Sequence, residues 1–201
     1  MKEKPDPSDE DLELVALCRK GDVDAFEALV AKYQKRMFNI AFRMTGNNED
    51  ASEIVQDAFV AVYRNIKGFQ ERAGFSTWLC TIVLNLSRNR LKQIASGRTR
   101  EAYSLNDPLP SVQGTCNRDI ASDNPSVLDT LEKREVQQKV QGCIQSMDGD
   151  YRELIILRDV QGFSYREISD MLTIPEGTVK SGLSRARAAL RDCLKKVLGD
   201  V

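Results

Sequence analysis

The sequence of 201 residues contains no histidine. This absence excludes acid–base catalysis by imidazole, nucleophile pairs of the Ser-His-Asp and Cys-His type, and every zinc site that needs a histidine ligand. Aromatic residues make up only 6% of the chain, and 12 glycines and 6 prolines are too few for a fibrous or wholly disordered protein. The composition predicts a soluble globular protein with one ordinary domain or two small ones.

Cysteines are few and far apart. The five, Cys18, Cys80, Cys116, Cys143 and Cys193, form no C-x-x-C pair, and their number is odd. This spacing argues against a disulfide framework and against a four-cysteine zinc module. We therefore predict isolated reduced thiols, several of them packed as small hydrophobic side chains, with Cys116 as the exposed exception in a polar stretch.

Long apolar runs are also missing. The best one, residues 79–86, is short and is interrupted by Thr and Asn, and the N-terminal MKEKPDPSDE has no apolar core of a signal peptide. The sequence predicts neither export nor a membrane span, and we expect a cytoplasmic protein.

The formal net charge of −1 conceals a segmental pattern. Residues 58–100 carry eight basic and one acidic residue, and residues 178–196 carry six and one, whereas residues 1–57 and 101–129 are net acidic. Basic segments can mark nucleic-acid contact, although a run of charge is more often a solvated helix face.

Apolar residues recur at helical spacing almost throughout, which predicts an all-α protein without strands. Asp22 and Asn47 or Asn48 are predicted to start helices, Gly46 and Gly68 to stop them, and Ser8 with Asp11 resembles a capping box. A fourth helix is expected from about Phe75 to Ile94. Helicity resumes near Leu128 and is split at Gly149, Gly162 and Pro175.

Between these two helical parts, the chain is rich in Gly, Ser, Asn, Asp and Pro. A structureless stretch of this length is improbable inside one compact domain, so it predicts two domains joined by a flexible linker. We place the first domain at residues 1–95, the linker at 96–127 and the second domain at 128–201.

The strongest local pattern is GFSYREISDMLTIPEGTVKSGLSRARAALRDCL, residues 162–194, which predicts helix, tight turn, helix. The first helix has an inner face of Ile168, Met171 and Leu172. The second has a buried stripe of Val179, Leu183, Ala186 and Leu190. The opposite face of the second helix is basic and polar, as suits entry into a DNA major groove. The alternative is a basic amphipathic helix that packs on a partner protein.

Residues 150–190, with YRELIILRDVQGFSYREISDML, IPEGTVKS and LSRAR, resemble region 4 of the extracytoplasmic-function sigma factors of bacterial RNA polymerase, within the sigma-70 family. The first domain resembles region 2 of the same family in GDVDAFEALVAKY, DASEIVQDAFVAVYRNI and GFQERAGFSTWLCTIVLNLSRNRL. The two resemblances stand in the family's order and cover nearly everything except the N-terminal tail and the linker.

The resemblance implies two DNA-binding surfaces and one polymerase-binding surface. The residues expected at the minus-thirty-five element are Tyr165, Arg166, Thr178, Lys180, Ser181, Ser184, Arg185 and Arg187. Those expected at the minus-ten element are Phe69, Gln70, Glu71, Arg72, Ala73, Gly74, Phe75, Asn85, Arg88, Asn89 and Arg90. Those expected to bind core RNA polymerase are Ser52, Glu53, Gln56, Asp57, Phe59 and Tyr63.

Helical spacing independently predicts that Phe75 and Trp78 are core anchors rather than surfaces for stacking bases. The spacing of Asn85, Arg88, Asn89 and Arg90 leaves several of them on one exposed face. Without the resemblance, we would interpret the acidic face around Glu53 as an ordinary solvent-exposed helix face.

Two positions depart from the family pattern. Thr173 stands in the turn where relatives usually have Gly, and a β-branched residue would be strained there if the turn needs a positive φ. Gly182 stands in the second helix where a basic residue is common, which would remove a phosphate contact.

We therefore predict a transcription initiation factor that binds core RNA polymerase, reads the minus-thirty-five duplex and melts the minus-ten element. No catalytic residue, metal or cofactor is expected. The resemblance also implies an anti-sigma partner, which would hold the protein at the inner membrane where that partner is membrane-bound. The alternatives are a stand-alone helix-turn-helix regulator and, more remotely, an enzyme that uses the N-terminal bundle.

Overall fold

The computed structural model describes residues 7–71, 73–101 and 127–199. Within these ranges the chain forms helices and no strands. The eight α-helices are α1 (Pro7–Arg19), α2 (Val23–Thr45), α3 (Asn48–Asn65), α4 (Phe75–Glu101), α5 (Val127–Ser146), α6 (Gly149–Ile155), α7 (Tyr165–Leu172) and α8 (Glu176–Leu198). A 3₁₀ turn, Ile66–Gly68, follows α3, and a π-helical segment, Ile156–Val160, continues α6.

The starts of α2 and α3 and the end of α2 are as predicted. The Asp22 side chain accepts a hydrogen bond from the Ala25 backbone N–H at 3.0 Å, and Asn47 accepts from the N–H groups of Glu49 and Asp50. Gly46 ends α2 in the left-handed conformation, with φ +76°. Each cap satisfies backbone groups that a helix end otherwise leaves unpaired.

The predicted capping box at the start of α1 is wrong. The helix begins at Pro7, which places Ser8 inside it, and a proline suits a first helical position because its missing N–H is not needed there. Asp11 is buried and accepts hydrogen bonds from the Tyr33 hydroxyl and from Lys32 Nζ. Asp11 therefore ties α1 to α2 and does not close a local cap.

Helix α4 is longer than the pattern predicts. It continues to Glu101, through Ser96 and Gly97, whereas we expected it to end near Ile94. Extending an existing helix by one residue costs much less free energy than nucleating a new helix. The weak helix formers Ser96 and Gly97 therefore do not end α4. Residues 102–126 of the predicted linker, which include Cys116, lie outside the described residues.

Helices α1 to α4 form the first helical unit. Its core includes fully buried Leu29, Met37, Ile40 and Leu79. Cys80 is also fully buried, and burial raises the pKa of its thiol to about 12. Cys80 is therefore the inert packed thiol that the spacing predicted.

Helices α5 to α8 form the second unit, which confirms the all-α fold with two helical domains. The prediction of isolated reduced thiols is wrong for two cysteines. Cys143 on α5 and Cys193 on α8 form a disulfide, with their Cα atoms 5.8 Å apart. Their separation of 50 residues hid the pairing, because only the packing of α5 against α8 brings them together.

The two units pack against each other. Helix α2 contacts α5 and the π-helical segment, and α4 contacts α7. Gly46 lies against the Gln145 side chain so closely that a Cβ there would be 1.2 Å from the Gln145 amide nitrogen. Glycine at position 46 therefore permits the left-handed end of α2 and also leaves space for the close approach of α5.

Candidate nucleic-acid interface

Helices α7 and α8 form a helix-turn-helix. Ser164 and Glu167 cap α7 reciprocally: the Glu167 N–H donates to the Ser164 hydroxyl at 3.2 Å, and the Ser164 N–H donates to the Glu167 carboxylate at 2.8 Å. Ile168, Met171, Val179 and Leu183 are buried between the two helices and their neighbours. The Ser-x-x-Glu spacing of this capping box is visible in the sequence, although we did not single it out.

The outward face of α8 has the composition predicted for it. Tyr165 is half-buried and Arg166 is exposed on α7. The exposed residues of α8 are Thr178, Lys180, Ser181, Ser184, Arg185 and Arg187. The structure thus brings all eight predicted minus-thirty-five residues to α7 and α8, and the six on α8 are exposed among the residues that the structure describes.

The cations beside this face are not equivalent. Arg187 forms a two-armed ion pair with Asp159, at 3.0 and 2.5 Å, and that carboxylate raises the pKa of Arg187. Lys180 lies 5.7 Å from the centre of the Tyr165 ring, on which Arg158 also packs. Arg185 forms no ion pair within the described part of the chain, which leaves its guanidinium available to a base edge or phosphate.

Gly182 does not face outward. It is buried against α6, and a Cβ on it would be 2.6 Å from Leu154 Cδ1. The expectation that Gly182 removes a phosphate contact is therefore wrong, since a basic side chain at this position would point into the core. Glycine here lets α6 and α8 approach each other.

Thr173 adopts the strained conformation considered in the sequence analysis. It ends α7 with φ +56° and ψ +43°, a left-handed conformation that costs a β-branched residue about 1–2 kcal/mol. Its backbone N–H donates to the Ser169 carbonyl, so the turn itself is well formed.

We expect Thr173→Gly to raise the free energy of unfolding by about 1 kcal/mol, because glycine removes this conformational cost. Urea denaturation of the full chain, followed by circular dichroism, measures the change. Thr178→Gly is the matched control: Thr178 is helical, so the same substitution there should lower stability by about 0.3 kcal/mol. If both variants lose stability, the turn is not strained.

The loop before α4 lies at the second predicted DNA surface. Phe69 and Phe75 are buried, with ring centres 6.0 Å apart, and Trp78 is half-buried with its ring 4.9 Å from Phe69. The three aromatics therefore anchor the loop, as the spacing predicted for Phe75 and Trp78. The Phe69 side chain, placed in the minus-ten set, also packs inward and cannot stack on a base in this conformation.

Between these anchors the loop is open. Gln70, Glu71 and Gly74 are exposed, Ala73 is half-buried, and Arg72 lies outside the described residues. Glu71 has a positive φ of 56° and pairs with Arg19, which also donates to the Phe69 carbonyl. Helix α1 thus supports the shape of a loop whose exposed groups are polar.

The four polar residues predicted for α4 do not all share one free face. Asn85 and Asn89 are exposed. Arg88 binds Glu153 of α6, and Arg90 binds Asp50 and Glu53 of α3. Helical spacing alone could not show that carboxylates from two other helices engage these arginines.

The face of α3 predicted to bind polymerase is largely exposed. Ser52, Glu53, Gln56, Asp57 and Tyr63 are solvent-accessible, whereas Phe59 is buried. Phe59 therefore packs in the core and does not contribute its ring to this surface. Val60, which the sequence analysis did not select, is 42% exposed beside Tyr63, which is 54% exposed. Val60 is an apolar residue on the otherwise polar side of the helix, and this pattern in the sequence could have identified it.

In the described ranges, no group of three or more Asp, Glu, Cys or His residues could hold a metal ion. No helix in these ranges has the length and apolar character needed to cross a membrane.

Comparison with known families gives matches in both units. Residues 29–96 match Sigma-70 region 2, and residues 137–190 match Sigma-70, region 4. A match to both regions in one chain supports an initiation factor and not a stand-alone helix-turn-helix regulator.

Similar curated proteins span nearly the whole chain. The ECF RNA polymerase sigma factor SigW of Bacillus subtilis is 34% identical over 88% of this chain and 92% of its own length. The ECF RNA polymerase sigma-E factor of Escherichia coli K12 is 36% identical over 88% of this chain and 90% of its own length.

Solved structures share the fold. CnrH in complex with the cytosolic domain of CnrY has a TM-score of 0.66 at 24% identity, covering 93% of this chain and 98% of that one. The sigma factor RpoE of Bartonella quintana, in complex with the anti-sigma factor NepR, has a TM-score of 0.61 at 22% identity, covering 85% and 96%.

The fold, the two helical units with their polar outer faces and these similarities lead to one assignment: the chain belongs to the extracytoplasmic-function sigma factors of bacterial RNA polymerase, which direct transcription initiation to specific promoters.

Proposed function

We propose that this protein binds core RNA polymerase through α3 and reads the minus-thirty-five duplex with α7 and α8. It melts the minus-ten element with residues 69–90. The observation that carries the proposal is the outward face of α8, where six polar or basic side chains are exposed on a helix whose other side is packed. A helix of this kind fits the major groove, with Arg reading guanine and Lys or Ser holding phosphates.

The loop at 69–74 and the start of α4 suit capture of a melted strand. Taking a base out of the stack costs a few kcal/mol, which a preformed loop can partly recover. Because buried aromatics hold the loop, its exposed backbone and polar groups are positioned before DNA arrives. Asn85 and Asn89 extend this surface along α4.

The chemistry of transcription then belongs to the polymerase, and this chain needs no catalytic residue, metal or cofactor of its own. We propose that it acts in the cytoplasm. An anti-sigma factor is the expected inhibitory partner, since structures with the same fold contain such partners.

Arg185→Ala should lower transcription about 10-fold from promoters with an intact minus-thirty-five element, because a bidentate guanine contact contributes about 1–3 kcal/mol. Transcription from templates lacking that element should change little. Run-off transcription with core polymerase, on paired templates, measures both.

Arg134→Ala is the matched control, because Arg134 is an exposed arginine on α5, outside the helix-turn-helix. It should leave both templates unaffected. Equal loss on both templates with Arg185→Ala would refute the sequence-reading role of this residue.

A further inference from the structure

The closest polar contact between the two helical units joins a predicted DNA-binding residue to a carboxylate. Arg88 of α4 donates from Nε and from one terminal nitrogen to the two oxygens of Glu153 of α6, both at 2.5 Å. The residues are 65 positions apart, so this contact exists only while the units are packed together. The Arg88 guanidinium also donates to Asn85 at 3.0 Å, a second residue of the minus-ten set.

Glu153, the acidic partner in this contact, is shielded from water. Glu153 is only 4% exposed, although a buried carboxylate is costly unless it is paired. The Glu153 carboxylate raises the pKa of Arg88, as expected for a close two-armed pair. Carboxylate and phosphate offer the same two-oxygen edge to a guanidinium, so Glu153 uses the donors of Arg88 that could otherwise bind a phosphate.

Further polar contacts hold the units in the same arrangement. Arg36 of α2 donates to the side chain and backbone oxygens of Gln161, at 3.0 and 3.1 Å, and its guanidinium packs 4.5 Å from the centre of the Phe163 ring. The outward face of α8 is exposed in this arrangement. The packing of the two units therefore engages Arg88 of the minus-ten set, whereas the outward face of α8 stays exposed.

We propose that Glu153 is an internal competitor of DNA phosphate at Arg88, which keeps this one residue of the minus-ten set engaged in the free protein until the two units separate. This inference rests on the proposed function, because it assumes that Arg88 contacts the melted strand. The engaged form lowers the apparent affinity for a single strand by the fraction of molecules in which Arg88 is engaged. Binding to polymerase, which spaces the units along the promoter, would release Arg88 where it is needed.

The test measures binding of the free full-length protein to a fluorescent 15-nucleotide oligo(dT) at low salt, because a phosphate contact does not depend on base sequence. We expect Glu153→Gln, which keeps the shape but removes the charge, to bind roughly 10-fold more tightly than wild type. Arg36→Gln should open the other side of the interface and tighten binding severalfold. Small-angle X-ray scattering should show a larger radius of gyration for both variants.

Asp150→Asn is the matched control. Asp150 is exposed on α6 and acts on Arg88 only through its charge, so this variant removes one negative charge nearby without breaking the hydrogen bonds. Its affinity should rise no more than twofold. An equal increase for Asp150→Asn and Glu153→Gln would show a net-charge effect and overturn the proposal, as would a folded Glu153→Gln protein with unchanged affinity.

Circular dichroism establishes that each variant is folded. If Glu153→Gln does not fold, Glu153→Asp decides, because its shorter side chain cannot hold both arms of the contact with Arg88: unchanged oligo(dT) affinity of the folded Glu153→Asp protein overturns the proposal. Run-off transcription at saturating core polymerase is measured in parallel, and Glu153→Gln should match wild type within twofold. If neither protein supports transcription, the proposed function fails, whereas the oligo(dT) measurements still decide whether Glu153 masks Arg88.

Discussion

Replacing Tyr63 by alanine should weaken binding to core RNA polymerase by about 10- to 100-fold, and transcription at limiting protein should fall with it. Tyr63 is 54% exposed on α3, next to Val60, and its ring centre lies 5.0 Å from that of Phe26, with the two rings inclined at 66°. An exposed aromatic held by a neighbouring ring is the kind of side chain that dominates binding energy at protein interfaces. The polar residues around it, Glu53, Gln56 and Asp57, would form the rim.

The stability of the Tyr63→Ala protein should change by about 1 kcal/mol, because about half of the residue is already in water and the substitution loses mainly the contact with Phe26. Leu17→Ala is the control, since Leu17 is 41% exposed on α1 outside the proposed surface. Fluorescence anisotropy with labelled protein and core polymerase gives the dissociation constants. Unchanged affinity for Tyr63→Ala would place the polymerase-binding surface elsewhere.

Replacing Arg152 by methionine should lower the free energy of unfolding by about 3 kcal/mol. The Arg152 guanidinium donates to the Met44 carbonyl at the end of α2 and to carbonyls of Ile144, Gln145 and Met147 near the end of α5. Helix ends leave such carbonyls unpaired, and hydrogen bonds from a charged donor contribute about 1.5–3 kcal/mol each. Burial lowers the pKa of Arg152, which shows that the side chain is partly removed from water.

Methionine keeps the length of the side chain but provides no donors, so the carbonyls would lose their partner. Thermal unfolding should show a decrease in melting temperature of roughly 10 °C or more for a unit of this size. Arg191→Met is the control, since Arg191 is exposed on α8, and it should change the melting temperature little. If Arg152→Met also changes the melting temperature only slightly, water hydrogen-bonds to these carbonyls in place of the arginine without loss of stability.

Most of the local structure could be predicted because its causes are local. Asp22, Asn47 and Gly46 cap helices through groups within four residues, and apolar spacing identified the inner faces of α7 and α8. The resemblance to region 2 and region 4 supplied the family, which the comparisons confirmed. Residue roles at the DNA and polymerase surfaces remain predictions.

Contacts distant in sequence could not be predicted. Periodicity places Arg88 and Arg90 on α4, but their partners Glu153 and Asp50 are 65 and 40 residues away. The Cys143–Cys193 bond and the packing of Gly182 on Leu154 likewise depend on how α5, α6 and α8 meet. These contacts follow from tertiary packing, and no short sequence pattern indicates which distant residues will meet.

Run-off transcription with purified core RNA polymerase, with and without this protein, on a library of genomic fragments tests the central claim most directly. The account predicts discrete transcripts that depend on the protein and start downstream of a shared pair of minus-thirty-five and minus-ten sequences. Tight, sequence-specific DNA binding without polymerase, together with no protein-dependent transcript from any fragment, would contradict it.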